Sequence, residues 1–290
     1  MTKTNTANSR KAMASLTVAR ILVYLFLVII SVLCLFSFYL MIINSSRSNG
    51  ELQAGFTLIP STHFFENFTN AWNDASINIP KGMLNSFLIA AATAICTTYF
   101  SALTAYGVHA YRFRGRTFVY WFILAVMVIP SQVSATGFVQ LCYKLGLTNN
   151  YLMLILPGIA APVVFFYMKQ YMEAVLPMEI IEAARVDGSN EFMTFNRIIL
   201  PMMKPALAVQ LIFAFVASWN NYFLPSLLLT RSELKTVPIM IAQLRSADYS
   251  KFDMGKVYMF ILLAIIPVLI VYLILNRNII KGVTSGSVKG

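Results

Sequence analysis

The sequence has 290 residues, 58% of them hydrophobic and only 11% charged, with a mean hydropathy of +0.71. Soluble domains lie nearer half apolar and a quarter charged, so an ordinary soluble domain is excluded and one membrane-embedded domain is indicated. The net charge of +11 is spread over short loops rather than one basic stripe, which excludes nucleic acid and fits the Lys and Arg excess that orients membrane loops.

Six stretches reach the ~20 residues that a helix needs to cross a bilayer: 21–43, 83–106, 118–140, 152–171, 206–229 and 257–276. The first is too long for a signal-peptide core and runs into Asn44-Ser45-Ser46 without a cleavage site, so it reads as a retained anchor. The third and fourth are interrupted by Pro130 and Pro157, which neighbouring helices can accommodate by satisfying the freed carbonyls. The predicted organisation is a tail over 1–20, a first helix and external loop over 21–80, a core over 81–276 and a tail over 277–290. The 44–82 stretch, with Pro60, Asn67, Trp72 and Pro80, reads as an ordered polar cap. Cys34, Cys96 and Cys142 have no metal or redox spacing and read as small buried hydrophobes.

Orientation follows from Lys and Arg. The N-terminal tail (Lys3, Arg10, Lys11, Arg20), the 107–117 loop (Arg112, Arg114, Arg116), the 172–205 stretch with Lys169, and the C-terminal tail (Arg277, Lys281, Lys289) hold fourteen. The opposite face holds eight. The richer face is predicted to be cytoplasmic, with both termini on it.

Residues 172–205 are neither apolar enough to span nor patterned as a loop. Pro177 suits a first helical turn. Ile180, Ile181 and Ala184 form an apolar face opposite Glu179, Glu182 and Arg185, and Asp187-Gly188 supplies a left-handed stop. Ser189 is positioned to cap a second short helix through Glu191, Phe192 and Phe195, ending at Leu200-Pro201. Such a unit suits docking into a groove on a soluble partner.

Glu182-Ala183-Ala184, Gly188, Ile198, Leu200 and Pro201 fit the spacing E-A-A-x3-G-x9-I-x-L-P at every position. This resembles the loop signature of permease subunits of bacterial ABC importers. Trp219-Asn220-Asn221-Tyr222-Phe223-Leu224-Pro225 and the tail from Ile279-Ile280-Lys281-Gly282 to Val288-Lys289-Gly290 are similar to the carbohydrate branch, specifically the smaller, maltose-type second permease. The resemblance covers essentially the whole chain. It implies an all-α, six-helix type I importer transmembrane domain in the bacterial cytoplasmic membrane. It also implies a homologous permease partner, a cytoplasmic ATPase dimer carrying ATP and Mg, and an external sugar-binding protein. Glu182, Ala183, Ala184, Asp187, Gly188, Ile198, Leu200 and Pro201 would then form a coupling loop, with Glu182 paired to a basic residue of the ATPase. The plainer alternative is an amphipathic connector with a chance glycine turn.

The chain itself has no G-x4-G-K-[ST] phosphate cradle: Gly255-Lys256 has Ser250 where the partner glycine would stand. His63 and His109 lie in different loops and read as surface residues, so no catalytic cluster is predicted. Polar residues inside spans are costly and often functional. The candidates are Gln132, Gln140, Gln210, Asn220 and Asn221, with Tyr222 beside them; they are read either as a path for a neutral, hydroxyl-rich substrate or as packing between helices. The maltose-type architecture implies that substrate contacts can come mainly from the larger partner subunit. The family commonly has a second proline where this chain has Gly137. Alternating charges over 230–256 (Arg231, Glu233, Lys235, Arg245, Asp248, Lys251, Asp253) suit either a docked binding protein or a solvated loop. Alternatives are an importer for glycerol phosphate or another small solute, a secondary carrier, which the missing ionisable relay disfavours, and a membrane enzyme, which lacks a candidate site.

Overall fold

The computed structural model describes residues 2–74, 76–246 and 253–286. In chain order the helices are α1 (Thr2–Ser45), α2 (Asn49–Gln53), α3 (Phe64–Trp72), α4 (Ile79–Ala110), α5 (Arg116–Val126) and α6 (Ser131–Lys144). They continue with α7 (Leu152–Ile155), α8 (Pro162–Val175), α9 (Met178–Val186), α10 (Glu191–Met193), α11 (Leu200–Met202) and α12 (Lys204–Trp219). The last are α13 (Phe223–Leu228), α14 (Val237–Ser246) and α15 (Met254–Gly286). No strand occurs among the described residues.

Among the described residues, four stretches are long and apolar enough to cross a membrane: Thr17–Ser45, Ile79–Ala110, Leu152–Val175 and Met254–Leu275. Two further pairs bring the number to six when each is counted as one span: α5 with α6, bent by 92°, and Glu191–Met202 with α12, bent by 84°. The predicted third span is therefore two helices that meet at Met127–Pro130. Pro130 has no amide to give and restricts the residue before it, so the ladder stops there. The predicted fifth span is corrected at its outer end. Helix α12 finishes at Trp219, and Asn220 and Asn221 lie in a break before α13. The predicted 230–256 loop is corrected as well, since Ser232–Leu234 is a 3₁₀ turn and Val237–Ser246 is helix. The side chain of Arg245, together with Asp248, Ser250, Lys251 and the tail 288–290, lies outside the described residues.

Two compact units are formed. The first comprises residues 1–71 and 253–262. From Thr17 to Phe38 the apolar side chains of α1 are exposed, as a lipid-facing helix requires; Cys34 is among these exposed residues rather than buried. Beyond Ser45 the polar cap is ordered by a small network. The Asn67 amide donates to the carbonyls of Ser45 and Arg47, each at 2.9 Å. Ser48 and Glu51 form a reciprocal capping box at α2, and Ser61 Oγ donates to Glu51 at 2.8 Å. The Ser48 amide, then Ser61, hold the Glu51 carboxyl below its ordinary pKa. Gly255 passes so close that an added Cβ would sit 2.5 Å from the Arg47 carbonyl oxygen. His63 is half-buried beside Glu51, 3.5 Å away.

The second unit comprises residues 72–252 and 263–290 and is built on α4. Small residues along that helix, Ala90, Ala94, Ala102 and Ala105, are fully buried and let α8 and α12 approach closely. One core joins the inner ends of these helices around Tyr106, Phe165, Met168, Phe195, Ile199 and Met203. A second gathers Ile89, Cys142, Leu154, Leu228 and Ile239 at the other end. There the Asn85 amide donates to the carbonyls of Glu233 and Lys235, fastening the 230s stretch to α4.

Candidate functional site: a cavity and a clasped loop

The loop over 172–205 folds as a helix, a glycine turn and a second helix. Helix α9 starts after Pro177, which stands at its N-cap, and ends at Asp187. Gly188 has φ +78°, the left-handed region, with open space around it. The second helix departs from expectation in two ways. Its cap is Asn190, whose side chain accepts from the Met193 amide, rather than Ser189. It also runs through Leu200-Pro201 to Met202 instead of stopping. A π-turn over Thr194–Ile199 explains this: the Leu200 amide bonds back to Phe195, and the widened ladder accommodates a proline that has no donor.

The apolar side of α9 is used within the chain. Ile181 and Ala184 are buried, and Ile180, Ile198 and Leu200 are half-buried against the inner core. Glu182, Ala183, Asp187, Gly188 and Pro201 remain exposed, and among the described residues Glu182 has no ion-pair partner. Two apolar side chains stand out beside them, Val186 at 87% and Phe192 at 70% exposure. They lie outside the signature, and only their placement in an otherwise amphipathic loop could have marked them.

A clasp fixes this loop to α4. Arg185 Nε donates to Glu191 Oε1 at 2.7 Å, and the Tyr106 hydroxyl donates to Glu191 Oε2 at 2.7 Å. The Arg185 guanidinium also lies 5.3 Å from the Tyr111 ring centroid, within cation–π range. The bond to Glu191 raises the Arg185 pKa above its already high value. Burial, then Glu191, raises that of Tyr111. Nearby, His109 is half-buried rather than a surface residue, with Nε2 3.2 Å from the Leu176 carbonyl oxygen.

Of the polar residues predicted for the path, two come together. Gln210 and Asn221 line a cavity of about 780 Å³ walled by α4, α8, α12 and the breaks at Pro157-Gly158 and Asn221. Thr93, Thr97, Tyr167 and Ser218, which sequence reasoning passed over, complete the polar part of a largely apolar lining, and among the described residues no charged side chain reaches it. Irregular backbone at membrane depth is tolerated where it borders such a cavity. Gln210 is only 8% exposed, and among the described residues no hydrogen bond holds its amide. The buried Thr93 hydroxyl also lacks a partner. Gln132, Gln140, Asn220 and Tyr222 are exposed and do not line the cavity.

Residues 98–285 match the family model described as binding-protein-dependent transport system inner membrane component. The arabinooligosaccharides transport system permease protein AraQ of Bacillus subtilis is 35% identical, over 94% of this chain and 97% of the relative. The trehalose/maltose transport system permease protein MalG of Thermococcus litoralis is 30% identical, over 93% and 97%. The fold is also that of a chain in the crystal structure of a bacterial ABC transporter involved in the import of the acidic polysaccharide alginate. The TM-score is 0.79 at 22% identity, covering 91% of this chain and 97% of that one. The exposed signature loop, the bent helices and the match along most of the chain agree: this protein belongs to the inner-membrane components of binding-protein-dependent transport systems, and is a multi-pass ABC importer permease rather than an enzyme.

Proposed function

We propose that this permease carries a neutral carbohydrate, of oligosaccharide size, through the cavity bounded by Thr93, Gln210, Ser218 and Asn221. The observation that carries the reading is the lining: a largely apolar wall carrying the hydroxyls and amides of Thr93, Thr97, Gln210, Ser218 and Asn221 beside the Tyr167 ring, in about 780 Å³, with no charged side chain among the described residues that line it. Binding cavities of this size are common. Unpaired buried amides and hydroxyls are costly, and a sugar offers several hydroxyls to satisfy them. A phosphate ester calls for Arg or Lys, so the glycerol phosphate alternative is the poorer fit. In this reading a homologous permease, an external sugar-binding protein and a cytoplasmic ATPase dimer with ATP and Mg complete the importer. Glu182, Ala183, Asp187 and Gly188 meet the ATPase, with Val186 and Phe192 adding apolar contact. Ala184, Ile198 and Leu200 support that face from behind, and the exposed Pro201 borders it.

The test is uptake with purified binding protein in vesicles. Gln210→Leu and Asn221→Ala should each raise the sugar concentration for half-maximal uptake several-fold, roughly one lost hydrogen bond's worth, with subunit assembly intact. Unchanged uptake in both variants would refute the cavity as the path.

A further inference from the structure

Helices α4, α5 and α8 wall two cavities of different character. The first, at the inner ends of these helices, is a polar cavity of about 330 Å³ lined by Val108, Arg116, Thr117, Tyr120, Lys169 and Glu173. Deeper, the same three helices wall an apolar cavity of about 430 Å³, with Thr104, Phe122, Ile123, Val126, Pro162 and Phe165 among its lining. From Arg116 to Val126 is ten residues of sequence, about 15 Å at the helical rise.

The charges at the polar cavity do not cancel. Lys169 is 3% exposed and bonded to Glu173, which also accepts from Gln170 Nε2 at 3.3 Å. That pair is satisfied. Arg116 is half-buried, and among the described residues it has no ion-pair partner, leaving one net positive charge on the cavity. Arg112 and Arg114 stand in the adjoining loop. Helix α5 begins at Gly115 without a side-chain cap; the Arg116 amide bonds back to the Phe113 carbonyl, which leaves the amides of Thr117 and Phe118 for an outside acceptor. Phe118 and Trp121 project from α5 with high exposure, as aromatic residues do at the edge of the hydrocarbon.

We propose that one anionic phospholipid bridges the two cavities, its phosphate against Arg116 and the start of α5 and an acyl chain running along α5 into the apolar one. A basic pocket between spanning helices beside a basic loop is the known physical form of headgroup recognition. The apolar cavity further along the same three helices is what distinguishes a lipid from a free phosphate. Placing the headgroup in the cytoplasmic leaflet rests on the proposed orientation, since the same loop carries Tyr111, which meets Arg185 of the clasp. The lipid-binding assay itself does not depend on uptake or on ATP.

The full-length chain, delipidated in detergent, is titrated with phosphatidylglycerol, phosphatidylcholine or inorganic phosphate, and adducts are counted by native mass spectrometry. Phosphatidylglycerol is expected to give a one-to-one adduct at concentrations where phosphatidylcholine gives none. Arg116→Glu should weaken it roughly thirtyfold, the factor implied by two charge units beside an anionic headgroup. Val126→Trp, which fills the apolar cavity and leaves the charge alone, should weaken it too. Retention at the wild-type level by either variant, or equal binding of phosphatidylcholine, would overturn the proposal. Displacement of the lipid by inorganic phosphate at equal concentration would overturn it as well, marking a site for the free anion.

Discussion

Replacing Glu191 tests whether the clasp, rather than core packing alone, holds the loop to α4. Its carboxylate serves two donors of different exposure. The Arg185 and Glu191 side chains are 35% and 39% exposed, so solvent screens their pair to about 0.2–1 kcal/mol. The Tyr106 residue is buried, and leaving its hydroxyl without a partner costs about 1–3 kcal/mol. Glu191→Ala removes both and should free the loop by about 2–3 kcal/mol. Glu191→Gln keeps an acceptor for Tyr106 and should cost less than about 1 kcal/mol. Hydrogen exchange over peptides from 178–202, read by mass spectrometry, reports local opening directly. The alanine variant should exchange roughly thirtyfold faster, and the glutamine variant within about fivefold of wild type. A double-mutant cycle with Tyr106→Phe then isolates the hydroxyl bond. Equal exchange in the alanine and glutamine variants, or none above wild type, would show that Phe195, Ile199 and Met203 hold the loop without the clasp.

Gly188→Val places a β-branched side chain at φ +78°, at a cost of about 1 kcal/mol or more. Together with Glu182→Ala it should leave the protein in the membrane while abolishing uptake and binding-protein-stimulated ATP hydrolysis; normal values of both would reduce the loop to a connector. Glu51 has a depressed pKa in the fold, so its contribution is present above the ordinary carboxylate pKa and is lost as pH falls through the lower folded value. Protection over 48–61, after correction for the intrinsic pH dependence of amide exchange, should therefore fall on acidification in wild type, and Glu51→Gln should remove that fall. Gly255→Ala brings a Cβ within 2.5 Å of a backbone oxygen; thermal unfolding of the purified protein should fall by several degrees, and an unchanged midpoint would mean that the 45–47 backbone yields freely.

The loop was readable because everything that shapes it is local. Pro177, Asp187 and Gly188 fix the limits of α9 through their own backbone preferences, and Pro130 likewise marks the break between α5 and α6. The cap at Asn190 escaped because Ser189 and Asn190 are both good capping residues, and only the π-turn's register chooses between them. The cavity was half readable: Gln210 and Asn221 were flagged as polar residues at membrane depth, yet Gln132 and Gln140 carry the same signal and lie elsewhere. Which amide faces a cavity depends on how α4, α8 and α12 pack. The clasp was unreadable for the same reason, since Tyr106 and Glu191 meet across 85 residues of chain, and neither is unusual in its own neighbourhood.

Helix α4 has one property that reaches beyond its role as a scaffold. Thr93 and Thr97 in the cavity wall and Tyr106 in the clasp ride on one unbroken helix, with about 14 Å from Thr97 to Tyr106 along the axis. Changes of side chain that face the cavity leave this rod where it is. Changes at Ala90, Ala94, Ala102 or Ala105 alter its tilt, and so move the cavity wall and the grip on the loop together. If the cavity is the path and the loop meets the ATPase, as proposed, drift in substrate preference is free to proceed at Thr93, Thr97 and Gln210, while the buried alanines are bound to energy coupling. A library varied at both sets should yield new specificities from the first and uncoupled transporters from the second.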